Sequence, residues 1–115
     1  MAPILMECPA AGKKLRNDRD AVELIGEALH AGAGIVAIPV ERFDADFFRL
    51  RTCIAGEFIQ KFVTYGVPLA IVGDISAHLA ESSALRDFVC EANRGQHVWF
   101  LASREELDRR LLTAG

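Results

Sequence analysis

Apolar residues fall along this chain in two rhythms. Mainly apolar runs at 4–8, 35–40, 68–72 and 97–102, the middle two rich in Val and Ile, have the length of strands. Between and after them, apolar residues return every three or four positions, the period of an amphipathic helix. The clearest such stretch is 52–65. There Ile54, Phe58 and Phe62 share one line, Ala55, Ile59 and Val63 a second, and Gly56, Glu57, Gln60, Lys61 and Thr64 fill the opposite side. Arg51 would fall inside the apolar face, which sets the predicted helix start at Thr52. The stripe of 18–31 is Val22, Ile25 and Leu29 with Ala21, Leu24 and Ala28. That of 83–94 is Leu85, Phe88, Val89 and Ala92, and that of 104–112 is Leu107, Leu111 and Leu112.

Punctuation agrees with the periods. Pro9 stops the first run and Gly12 marks a turn. Asn17 or Asp18 caps the first helix, and Gly32 ends it with His30 in the last turn. Gly66 ends the second helix. Ser82 or Ser83 opens the third, which Gly95 ends, and Ser103 with Glu106 makes a capping box for the last. The stretch 41–51 reads as a loop with one helical turn near 46–50, and 75–81 as either loop or a first turn. Pro39 lacks an N–H, which predicts an edge position or a bulge.

The resulting order, β-α four times over, predicts an α/β fold: one domain, 1–115, with a four-stranded, mainly parallel sheet. The strands are apolar at successive positions, as when both sheet faces are covered. Either the helices divide between the faces, or they share one and something else covers the other. In the second case the bare face would carry Val, Ile and Trp99, and a closed two-fold homodimer is expected to cover it.

Composition narrows the function classes. The formal net charge is -3 without a Lys/Arg block, which argues against nucleic acid as a partner. No apolar run approaches the ~20 residues that cross a bilayer. The N-terminus has no basic export signal. Cys8, Cys53 and Cys90 form no C-x-x-C pair and read as reduced thiols in a cytoplasm. His30, His78 and His97 share no metal-ligand spacing with each other or the cysteines, so no metal is expected. Gly32-Ala33-Gly34 precedes a strand rather than opening a helix, so it is no phosphate loop, and no cofactor is expected.

The runs FFRLRTCIAGEFIQKF, LAIVGDISAHLA and SALRDFVCEANRG, followed by VWFLA, resemble a bacterial family known only as a domain of unknown function, the one numbered forty-one eighty. The resemblance covers nearly the whole chain and implies a small cytoplasmic bacterial protein with no assigned activity. By architecture the chain is also similar to the STAS domain of anti-sigma-factor antagonists, which implies a (βα)4 superhelix with the helices on one face. In that family a Ser or Thr opening the second helix is phosphorylated by a partner kinase. The matching position is Thr52. Leu50-Arg51 and Cys53 stand where STAS domains carry an Asp before that residue and a Gly after it.

Ligands and partners of parallel sheets meet the C-terminal strand ends. That edge carries Glu41, Arg42 and Asp44 after the second strand, Asp74, Ser76 and His78 after the third, and Ser103 and Arg104 after the fourth. Asp74, Ser76 and His78 lie too close in sequence for a catalytic triad, and no G-x-S-x-G elbow is present. Arg49 and Arg51 either bind an anion or pair with Asp44 or Asp46. Cys53 is either a thiol activated at a helix start or a small buried residue. Phe47, Phe48, Phe58, Phe62 and Trp99 read as core.

Two functions follow. The first is a non-enzymatic, STAS-like regulatory or protein-interaction domain acting through Thr52 and the neighbouring strand ends. The alternative is a small enzyme or small-molecule-binding protein in which Glu41, Arg42, Asp74, Ser76 and His78 converge on a pocket. The absence of a catalytic signature favours the first.

Overall fold

A computed structural model describes residues 4–114. Met1, Ala2, Pro3 and Gly115 lie outside the described residues. Four strands form one sheet: β1 (Leu5–Glu7), β2 (Ile35–Pro39), β3 (Leu69–Val72) and β4 (Val98–Leu101). Their order is β1-β2-β3-β4 and every pair is parallel. The helices are α1 (Asp18–Ala31), α2 (Ile54–Tyr65), α3 (Ser76–Glu81), α4 (Ser83–Arg94) and α5 (Arg104–Ala114). The α/β reading holds, with the ambiguous stretch after β3 resolved as a short helix.

Side chains of a strand alternate between faces, so one sheet has two cores. On the first face Val36, Ile38, Leu69, Ile71, Val98 and Phe100 meet Leu24, Ile25 and Ala28 of α1, Phe58 and Phe62 of α2, and Leu85 and Val89 of α4. On the second, Ile35, Ala37, Ala70, Trp99 and Leu101 meet Leu107 of α5. The Trp99 indole donates to Gly95 O at 2.9 Å, and the Arg110 guanidinium lies 4.3 Å above its ring. Trp99 is therefore only 8% exposed. This corrects two expectations. The helices do not all share one face, and the bare apolar face on which the homodimer argument rested is covered by the last helix.

Other differences have local causes. Pro39 sits on an inner strand, not an edge. Odd-numbered residues of β2 turn their N–H toward β1, as Ile35 does to Ile4 O. The last β1 partner is Glu7, opposite Ala37, so the N–H that Pro39 lacks has no strand beside it. Helix α2 begins at Ile54, not Thr52, because Cys53 is left-handed (φ 63°) and a helix cannot run through it. The preceding segment is three 3-10 turns, Val40–Arg42, Ala45–Phe48 and Leu50–Thr52. Val22 and Leu29, read as buried, are exposed. The helix stops and starts are largely as read: the Asn17 side chain accepts from Asp20 N, the Ser82 hydroxyl from Leu85 N, and Gly32 and Gly66 are left-handed. The Asn93 amide bonds both the N–H and the C=O of Phe100, occupying part of the outer edge of β4.

Candidate functional site

The C-terminal edge of the sheet is built from three connections. After β2 the chain is pinned by aromatic rings. Phe43 stacks on Phe47 at 4.0 Å between centroids, and both meet Phe58 of α2 edge-on at 5.5 and 5.7 Å. Such pairs contribute about 0.5–1.5 kcal/mol each beyond their buried area. The segment 40–53 is therefore a packed layer, and its outward side presents Arg49, Leu50 and Arg51. After β3 the chain turns through Gly73 (φ 144°), where a Cβ would stand 2.3 Å from Val40 Cγ2. Only glycine lets this turn lie against the one after β2. Asp74 Oδ1 accepts from Ser76 N at 2.9 Å and starts α3. Bonds from the Ser76 hydroxyl and backbone N–H hold the Asp74 carboxyl below its ordinary pKa.

Between segment 45–51 and α3 lies an open groove of about 620 Å³. Phe48 and His78 share its wall, their rings stacked at 4.6 Å and 16°. Arg49, Arg51, Ala77 and Glu81 surround them. Arg49 is paired with Asp46 at 2.9 Å. Arg51 is exposed and has no ion-pair partner among the described residues.

Thr52 stands beside this groove and is exposed. Its Oγ1 lies 2.8 Å from both Asp46 O and Arg49 O, which share its proton, and the same oxygen accepts from Ile54 N at 3.3 Å. One side chain thus ties the two 3-10 turns together and satisfies an N–H at the start of α2.

The sequence candidates separate into groups. Arg49, Arg51 and His78 come together in the groove, with Thr52 next to it. Asp74 accepts from the first N–H of α3, that of Ser76, and neither residue lines the groove. The His78 ring faces Phe48, so the three residues after β3 do not form a triad. Glu41 is exposed, and its carbonyl accepts from Lys14 Nζ at 2.6 Å. Asp44 pairs with Arg16 at 2.8 Å rather than with Arg49 or Arg51. Ser103 caps α5, and Arg104 pairs with Glu7 and Asp108. Cys53 is exposed, against the expectation of a small buried residue. The convergence of Glu41, Arg42, Asp74, Ser76 and His78 on one pocket does not occur. No group of three or more His, Cys, Asp or Glu able to hold a metal is present among the described residues.

Arg42 departs furthest from its reading as an edge charge. It is 8% exposed. Its Nε donates to Lys13 O at 2.9 Å and its Nη1 to Pro9 O at 3.0 Å, while its own carbonyl accepts from Leu15 N at 2.8 Å. The loop after β1 is folded around this side chain. The only sequence signal was Gly12, where a Cβ would stand 3.2 Å from Arg42 Cζ.

No helix among the described residues is long and apolar enough to cross a membrane. No curated protein and no solved structure matches the chain. One family model, described as Domain of unknown function (DUF4180), matches residues 3–111.

Proposed function

We infer that this chain, which belongs to the DUF4180 family of domains of unknown function, is a non-enzymatic protein-interaction domain, STAS-like in acting through partner binding beside Thr52. The observation that carries the reading is the open groove between segment 45–51 and α3, where a Phe48–His78 stack is bordered by Arg51, which has no ion-pair partner among the described residues. An aromatic wall with a cation at the rim suits a polypeptide that brings one apolar anchor and a nearby carboxylate. Rim charges of this kind set encounter rate and selectivity. On this reading the partner is a different protein, which is supported by α5: it packs over the second sheet face and so removes the bare surface that a second copy would cover. The three free cysteines suit a reducing compartment, and the domain is read as cytoplasmic.

Thr52 is the regulatory point of this reading. A phosphate there removes the O–H proton shared by Asp46 O and Arg49 O and adds about -1.5 to -2 charges. The change loosens the turns that carry Arg49 and Arg51, and both arginines are near enough in sequence to answer the new charge. Capture from native cytoplasm with wild type, Thr52→Ala and Thr52→Glu, read by mass spectrometry, tests this. The expected result is a partner retained by wild type and lost or exchanged with Thr52→Glu. The same profile for all three proteins would remove Thr52 from the account.

A further inference from the structure

At the other end of the same edge, between the loop after β1 and helix α1, lies a smaller hollow of about 330 Å³. Its lining includes Met6, Cys8, Gly12, Leu24, Glu27 and Arg42. The buried guanidinium of Arg42 has two backbone carbonyls for acceptors, both neutral. No carboxylate pairs with it among the described residues, and its Nη2 has no acceptor there. Buried charges are normally paired; no buried side-chain polar atom among the described residues lacks a partner, so the unbonded Nη2 is the part of this guanidinium left accessible. The two carbonyls also fix the plane of the fork, and a fixed fork is the geometry that receives a carboxylate.

The hollow's acidic wall is not uniform. Asp20 and Glu23 are both engaged by Lys13 Nζ, at 3.2 and 3.3 Å, and Asp20 also accepts from Arg16 N at 2.8 Å. Glu27 has no such partner among the described residues. Arg42 and Glu27 both act on the Cys8 thiol, in opposite senses, though burial, which pushes that thiol up, is the larger effect. Both charged residues line the same hollow, yet they form no ion pair with each other.

We propose that this hollow binds a small zwitterion of amino-acid size, its carboxylate on Arg42 and its ammonium toward Glu27. A ligand with both charges matches both unpaired groups. An inorganic phosphate would satisfy Arg42 but meet the carboxylates of Glu27 and Glu23, and a simple amine would leave Arg42 unpaired. The apolar contacts with Met6 and Leu24 leave room for a side chain. The site is separate from the groove beside Thr52 and does not depend on its role.

The test is titration of the full chain, followed by amide NMR shifts and calorimetry. The probes are the common amino acids singly, with propionate, propylamine and inorganic phosphate for comparison. The expected result is saturable binding of at least one amino acid, with shifts at Cys8 to Leu15, Glu23 to Glu27 and Arg42. Propionate and propylamine should bind at least about tenfold more weakly, since each forfeits one charge-assisted contact. Arg42→Lys should abolish binding, but it also disturbs the loop. Glu27→Gln, on the exposed side of α1, keeps the fold and should weaken binding by about tenfold. No saturable shift with any amino acid would overturn the proposal. So would binding unchanged by Glu27→Gln, or phosphate held as tightly as the best amino acid.

Discussion

The two hollows at the C-terminal edge of the sheet use the same residue type in opposite ways. In the groove beside α3, Arg51 is exposed to solvent, on the outside of a layer nailed down by Phe43, Phe47 and Phe48. In the hollow beside α1, Arg42 is the centre of the layer, and the loop from Pro9 to Leu15 is folded over it. The first arrangement leaves a charge free to steer a large partner and to be screened by salt. The second holds a charge rigidly inside a space suited to a small molecule. The close packing of Val40 against Gly73 keeps the turns after β2 and β3 in register.

Removing the aromatic layer should break the comparison most severely. Phe47 is 1% exposed and touches Phe43, Phe48 and Phe58. Phe47→Ala should destabilise the chain by about 3–5 kcal/mol, seen as a lower denaturant midpoint, and should abolish groove binding before it unfolds the loop around Arg42. Gly73→Ala comes next. It places a Cβ against Val40 at a backbone angle that favours glycine. Strain and overpacking together predict a loss of roughly 2–5 kcal/mol, with amide shifts in both flanking turns. An unchanged midpoint in either variant would show that these contacts do not hold the edge together.

A smaller effect sharpens the account of the α1 hollow. Burial tends to raise the Asp20 pKa, but bonds from Arg16 N, Lys13 and Asn17 N outweigh it, and the carboxyl is held below its ordinary value. A lowered carboxyl pKa contributes stability above the unfolded pKa and loses it as pH falls through the folded one. Wild type should therefore lose an increment of stability on acidification below the ordinary Asp range, an increment that Asp20→Asn lacks. Denaturation curves for the two should converge as pH falls. Parallel curves would mean that Asp20 does not anchor the loop. The smallest effect belongs to Cys53. Cys53→Gly relieves a left-handed non-glycine residue and should raise stability by at most about 1 kcal/mol, with Cys53→Ala near neutral.

Much of this fold was legible because period and punctuation agreed. The βαβ unit around α2, the cap at Asn17, the glycine stops and the stripe of α4 all follow from local spacing. What failed was set by tertiary neighbours. Helix α3 is six residues long, too short for a period to show. The start of α2 was misplaced because nothing in the Thr52-Cys53 dipeptide announces a left-handed residue. The side taken by α5 was left open because a stripe of three leucines fits either face, and Leu112 proves to be solvent-exposed. For the candidate site, His78 is singled out by its place after a strand, Arg49 and Arg51 by flanking the predicted start of α2, and Thr52 by the STAS resemblance. Their grouping around Phe48 was not legible, because Phe48 read as core. Arg42 was missed as a buried group because a charged residue after a strand reads as surface unless its loop partners are known.

The central claim is that the groove beside α3 is where a partner docks. A photo-crosslinking residue at Ala77, on the groove wall, tests it most directly, with one at Glu91 on the exposed side of α4 as control. The account predicts one or more adducts from position 77 that are absent from position 91 and fall sharply when Arg51→Glu reverses the rim charge. Adducts common to both positions, or yields at 77 that ignore Arg51→Glu, would contradict it.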